Sequence, residues 1–166
     1  ATESEWNLMA EPVNAGSSFD DAFGDNDPTE LFVWDESYID QGTIGWWLNM
    51  MGEYSSSDFD PARGYAMSYY VASKSNTYTL TGAPYTSDQS ITLTKTTNST
   101  GEGWNLVGNP YPSPINWESV AKNNINNAIY LWDKETENFT AYINGTSVNG
   151  GDQYIAPGQG FFVKAL

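Results

Sequence analysis

The 166-residue sequence contains neither cysteine nor histidine. Without them these residues cannot assemble a Ser-His-Asp triad, a thiol nucleophile, a His/Cys zinc site or a disulfide framework. What remains is carboxylate chemistry: a general acid/base pair, or oxygen ligation of a hard cation such as Ca2+. Basic residues are scarce as well, with 6 Lys+Arg against 21 Asp+Glu and a net charge of −15. That balance disfavours nucleic acid and anionic membrane surfaces as partners. No apolar run approaches the roughly 20 residues that cross a bilayer, so no membrane insertion is expected. The lack of cysteine does not by itself fix the compartment.

What is present is aromatic. Aromatic residues make up 15% of the chain and hydrophobic residues 39%, enough for a packed interior beneath a surface of Ser, Thr, Asn and Gly. The chain is also written twice. Trp6-Asn7-Leu8-Met9 returns as Trp104-Asn105-Leu106-Val107, an offset of 98. At the same offset Pro12 matches Pro110, Phe19 matches Trp117, and Leu31-Phe32-Val33-Trp34-Asp35 matches Ile129-Tyr130-Leu131-Trp132-Asp133. Trp47-Leu48-Asn49 is set against Tyr142-Ile143-Asn144, which places Trp46 opposite Ala141. Pro61-Ala62-Arg63-Gly64-Tyr65 closes the match against Pro157-Gly158-Gln159-Gly160-Phe161, now offset by 96.

Each copy reads as short strands rich in β-branched and aromatic residues, bounded by Pro/Gly turns. Thr77 to Thr81 and Ile91 to Lys95 alternate apolar residues with Thr and predict a hairpin between the copies. The helical candidate lies around Asn116 to Asn123, with Asn116 as a cap. The expected fold is all-β, a two-sheet β-sandwich or jelly-roll-like body built from two sequence-related halves. Residues 1–166 are read as a single domain with internal duplication, the first copy plus hairpin over 6–95 and the second copy over 104–166. Each copy has too few strands to close a core alone, so the halves are expected to pack together.

The stretch Gly103-Trp104-Asn105-Leu106-Val107-Gly108-Asn109-Pro110-Tyr111-Pro112-Ser113, with Ile129-Tyr130-Leu131-Trp132-Asp133 and Pro157-Gly158-Gln159-Gly160-Phe161-Phe162-Val163, carries a resemblance. It resembles a duplicated β-rich module found near the C-terminus of large secreted and surface proteins of the Bacteroidetes, cargo of the type IX secretion system, upstream of the sorting tail. The first copy departs from that pattern: Ala10-Glu11-Pro12-Val13 replaces Gly-Asn-Pro-Tyr, and Arg63 replaces Gln. The resemblance implies a secreted or cell-surface location and attachment to a larger parent polypeptide. It names no catalytic residue and no ligand.

The two copies serve as internal controls for one another. Trp6/Trp104 and Trp34/Trp132, kept in both, read as core anchors, and Asp35/Asp133 as turn caps. The charge is not shared. Up to Ala62 there are 14 acidic residues and no Lys or Arg, whereas from Arg63 onward there are 7 acids and 6 basic residues. Asp20, Asp21, Asp25, Asp27 and Glu30 crowd one stretch, a candidate Ca2+ site without EF-hand spacing, set against the plainer reading of a solvated acidic loop. Trp46 and Trp47 stand side by side, and adjacent strand residues face opposite sides, so one indole is expected at the surface. Nearby loops are expected to offer Tyr38, Tyr54, Asn49 and Arg63, which complete a candidate sugar-stacking surface.

These residues lead to a non-catalytic carbohydrate-binding accessory module of a secreted or cell-surface bacterial protein, with a polysaccharide as partner. The alternative is a calcium-stabilised structural spacer or adhesion module with no small ligand. A carboxylate-based glycoside hydrolase has no motif around a carboxyl pair to support it.

Overall fold

In the computed structural model, Leu31 and Val33 are buried on one side of their strand while Phe32 and Trp34 face the other. Ile129/Leu131 and Tyr130/Trp132 repeat this division, the period of two that a strand imposes. The structure describes residues 4–14, 18–23, 30–40, 43–50, 58–70, 80–97 and 103–166. Residues 4, 20, 21, 38–40, 43–46, 69 and 70 are described by backbone only.

The first half forms β1 (Ser4–Met9), a short helix α1 (Phe19–Phe23), β2 (Glu30–Asp40), β3 (Thr43–Asn49) and β4 (Tyr65–Tyr70). The second forms β5 (Trp104–Gly108), β6 (Ile115–Asn116), β7 (Ala128–Asp133), β8 (Asn138–Ile143), β9 (Thr146–Val148), β10 (Tyr154–Ile155) and β11 (Gly160–Lys164). A 3-10 turn at Trp117–Ser119 succeeds β6. The β8–β9 turn is made by Asn144 and Gly145, both at positive φ (49° and 81°), the backbone that a tight hairpin needs. The protein is a β-sandwich with sheets of four, five and two strands.

Strand order repeats with the sequence. The four-stranded sheet runs β1-β4-β2-β3, and the larger sheet runs β5-β11-β7-β8 before adding β9. The register repeats too: Trp6 opposes Ser68 and Met9 opposes Tyr65, as Trp104 opposes Lys164 and Val107 opposes Phe161. Cross-connections between the halves come in matched pairs, as a pseudo-twofold relation requires. Met9 bridges Gln159 while Val107 bridges Arg63. The N–H of Ala10 donates to the carbonyl of Gly158 (2.7 Å), and that of Gly108 to Ala62 (2.9 Å).

Two cores result. Met9, Phe19, Leu31, Val33, Phe59, Tyr65 and Met67 pack in the first half, and Val107, Trp117, Ile129, Leu131, Ile155, Phe161 and Val163 take the equivalent places in the second. The paired Trp residues belong to neither. Trp6, Trp34, Trp104 and Trp132 are half-buried on the opposite faces of the sheets, where the halves meet. The expectation that they anchor the cores is therefore corrected: each half fills its own core with aliphatic and Phe/Tyr side chains, and the indoles form a seam.

Two local expectations also change. Asn116 does cap, its Oδ1 accepting from the N–H of Glu118 (3.0 Å), but it opens a single 3-10 turn rather than two turns of α-helix. Within the expected hairpin, residues 80–97 hold no strand, and residues 77–79 lie outside the described residues. Leu80 instead packs on the first core, and Ile91 and Leu93 on the second. The backbone of this connection is held by side chains rather than by a ladder. The N–H of Thr94 donates to Asn105 Oδ1 (3.0 Å), and that of Thr96 to Glu36 Oε1 (2.7 Å). Glu36, only 2% exposed, also accepts from the N–H of Gly103 (2.9 Å) and the Thr96 hydroxyl (2.9 Å). It ties β2 to both ends of the joint between the copies.

Candidate functional site

Because β2 turns Phe32 and Trp34 away from its core, and β4 and β1 do the same with Ala66, Trp6 and Leu8, the first sheet offers the seam an apolar face. The second sheet meets it with Trp132, Phe139 and Phe162. The two faces do not close completely. A cleft of ≈370 Å³ remains, lined by Trp6, Leu8, Phe32, Trp47, Ala66, Trp132, Phe139 and Phe162. Phe139 is 38% exposed at its edge. The rings meet edge to face: Trp34–Trp47 at 5.1 Å, Trp132–Phe139 at 5.2 Å and Trp47–Phe162 at 5.9 Å between centroids. Each such contact contributes about 0.5–1.5 kcal/mol beyond the area it buries.

The seam differs on its two sides. The indole N–H of Trp34 donates to the carbonyl of Trp104 (2.8 Å). The equivalent N–H of Trp132, also buried, finds no hydrogen-bond partner among the described residues.

Of the residues singled out from sequence, Trp47 lines this cleft. Asn49 lies two residues along β3, opposite Phe32, and is exposed. Trp46 and Tyr38 are described by backbone only, Trp46 opposite Asp35 in the ladder. Tyr54 lies outside the described residues. Arg63 does not line the cleft. It borders a smaller pocket of ≈190 Å³ with Trp34, Asp35, Leu48 and Asn105, and its Nε lies 3.0 Å from Asp60 Oδ2.

The acidic stretch is seen only in part. Asp20 and Asp21 fall in α1 with backbone alone described, Asp25 and Asp27 lie outside the described residues, and Glu30 Oε2 accepts from the Ser68 hydroxyl (3.2 Å). Among the described residues, no group of three acidic side chains is placed to hold a metal.

The shared aspartates act on their own turns. Asp35 Oδ1 accepts from the N–H and hydroxyl of Ser37 (2.9 and 2.6 Å). Asp133 accepts from the Thr136 hydroxyl and the Glu135 N–H (both 2.9 Å), bonds that hold its carboxyl below the usual carboxylate range.

Sequence reasoning missed Trp6, Ala66, Trp132, Phe139 and Phe162 as members of one site. It also set β3 against β8 three residues out. The ladders place Trp34 opposite Trp47 and Trp132 opposite Phe139, so Trp47 corresponds to Phe139, Trp46 to Asn138 and Asn49 to Ala141. A usable signal was one residue past the last matched block, where Ala66 stands against Phe162.

Residues 2–166 match the model of a family described as Domain of unknown function (DUF8693). The chain belongs to that family. Both halves, and the cleft between them, fall inside this one family unit. No curated protein and no solved structure matches the chain. Among the described residues no helix is long and apolar enough to cross a membrane.

Proposed function

We propose that this chain is a non-catalytic module that binds a neutral polysaccharide at the aromatic cleft, as an accessory part of a larger secreted or cell-surface bacterial protein. The observation that carries the reading is the cleft itself: three indoles and three phenyl rings, drawn from both halves, around ≈370 Å³. Sugar rings present C–H groups to such walls, and aromatic faces attract them. Small-ligand sites are typically apolar concavities with few polar groups. A net charge of −15 repels anionic glycans and favours neutral ones.

The test is retention in affinity gels cast with a panel of neutral polysaccharides. Wild-type protein is slowed by at least one of them. Trp47→Ala and Phe139→Ala migrate as they do in a gel without polysaccharide, while circular dichroism at the running temperature shows both folded. Trp47→Ala also costs stability, since its indole packs on Trp34 and Phe162, but less than the roughly 3–5 kcal/mol of a fully buried Trp, because the ring is half-buried; Phe139→Ala, more exposed, costs less still. Wild-type protein that passes every gel unretarded leaves the second reading, a calcium-stabilised spacer. The observation in that reading's favour is the run of 14 acids without a base up to Ala62.

A further inference from the structure

The cleft has a filled counterpart in the same molecule. Phe162, 8% exposed, is ringed by Trp34, Trp47, Trp104 and Phe139 at centroid distances of 5.6, 5.9, 6.4 and 5.9 Å. All four contacts are edge to face, with interplanar angles of 87°, 80°, 82° and 76°. The duplication carries those four residues to Trp132, Phe139, Trp6 and Trp47 in turn. All four of the latter line the cleft, and the residue in the place of Phe162 is Ala66. One aromatic cage is thus built twice. On one side a phenyl ring fills it, and on the other a methyl group stands where the ring would be.

We propose that the cleft is a socket for one six-membered ring, seated where a phenyl ring at position 66 would lie, and that the ring is the terminal pyranose of a neutral glycan with a hydrocarbon edge, as a 6-deoxyhexose has. The identity of the ring rests on the polysaccharide reading; the socket rests on the repeated cage. A volume of ≈370 Å³ is near the lower end of small-ligand sites, roughly 300–1,000 Å³, so it admits a chain end rather than a chain laid lengthwise. The lining side chains include no hydroxyl, amide or charge. The indole N–H groups are the only polar side-chain groups of that lining, and the one on Trp132, without a partner among the described residues, is itself buried, so a sugar hydroxyl seated there would lose its water for few partners. The C5-methyl edge of a 6-deoxyhexose enters without that loss and leaves the hydroxyls at the mouth. Ala66 is then the residue that sets whether this family member has a socket at all.

The experiment monitors the indole N–H signals of Trp6, Trp47 and Trp132 by nuclear magnetic resonance in the full 166-residue chain. It is titrated separately with methyl α-L-fucopyranoside, methyl α-L-galactopyranoside and benzyl alcohol. The fucoside is expected to shift all three signals and to bind more tightly than the galactoside, which differs by one hydroxyl. Ala66→Phe is expected to abolish the shifts and to raise the melting temperature by a few degrees, as cavity filling does. Should that variant fail to fold, Ala66→Leu fills the socket in part and weakens fucoside binding instead.

Shifts with benzyl alcohol and none with either sugar leave the socket standing and overturn the polysaccharide reading. Equal affinity for the two sugars overturns the hydrocarbon-edge selection. Fucoside binding unchanged in a folded Ala66→Phe, or in Ala66→Leu, overturns the socket while leaving a glycan site elsewhere on the surface.

Discussion

Glu36 shows how a single buried carboxylate is held charged. Burial alone would raise its pKa, yet the N–H groups of Thr96 and Gly103 and the hydroxyls of Thr96 and Thr94 outweigh that and hold it below the ordinary value of 4.5. A group whose pKa is depressed on folding stabilises the native state fully above its unfolded pKa. That stability is lost as pH falls through the folded pKa. The protein is therefore expected to lose stability below about pH 4.5 in urea titrations. Glu36→Gln should flatten part of that loss and cost about 1–3 kcal/mol at neutral pH, because an amide nitrogen would face backbone donors. A variant with wild-type stability and wild-type acid sensitivity would remove Glu36 from this role. Its counterpart in the second copy is Lys134, so comparison of the copies singles the position out without telling a latch from a ligand site. Residue type alone does not say which backbone N–H groups a carboxylate will meet.

Among the elements, those facing the cores were the most legible. Met9/Val107, Leu31/Ile129, Val33/Leu131 and Tyr65/Phe161 align in sequence and occupy equivalent core positions, because burial preserves size and polarity at both. The β3/β8 pairing was less legible. β2 and β3 are long and contain a register shift between Asp35 and Ile39, whereas β7 and β8 turn within Asp133 to Asn138. Loop length, unlike a buried side chain, is free to differ between copies. The 77–95 alternation misled for another reason: of its described apolar residues, Leu80 packs on the first core and Ile91 and Leu93 on the second, and side chains take the N–H groups of Gln89 and Thr94.

Glycines at the crossings were legible as shared positions, and the structure supplies the reason. A Cβ on Gly64 would lie 2.6 Å from the carbonyl oxygen of Val107, and one on Gly160 2.9 Å from the backbone N and O of Met9. Backbone atoms there cannot step aside as a flexible side chain can. Gly160→Ala is accordingly expected to destabilise by about 1–3 kcal/mol, read from the urea midpoint at unchanged slope. A midpoint equal to wild type would mean that the two halves approach less closely than this.

At the scale of the whole molecule, two cores are joined by an aromatic seam and the charge is loaded on one side. Fourteen acids without a single Lys or Arg precede Arg63, so the first half repels itself in a way the second does not. Screening falls from a Debye length of about 30 Å at 0.01 M salt to about 10 Å at 0.1 M. Sodium chloride over that range should therefore raise the melting temperature, and the gain should come from the first half. Amide hydrogen exchange can assign it, with Leu31 and Val33 gaining more protection than Ile129 and Leu131. Calcium acts separately from screening. If Asp20, Asp21, Asp25, Asp27 and Glu30 share one ion, their oxygens lie about 2.3–2.6 Å from it. Ca2+ at 100 times its dissociation constant would then add about 2.7 kcal/mol by binding the native state alone. At matched ionic strength that stabilisation appears as a further rise over a chelator control, by about 2–4 °C per kcal/mol for a chain of this size. Equal melting temperatures in Ca2+ and in chelator, with the sodium chloride effect intact, would reduce the acidic stretch to a solvated surface. The calcium-stabilised spacer would then lose its premise.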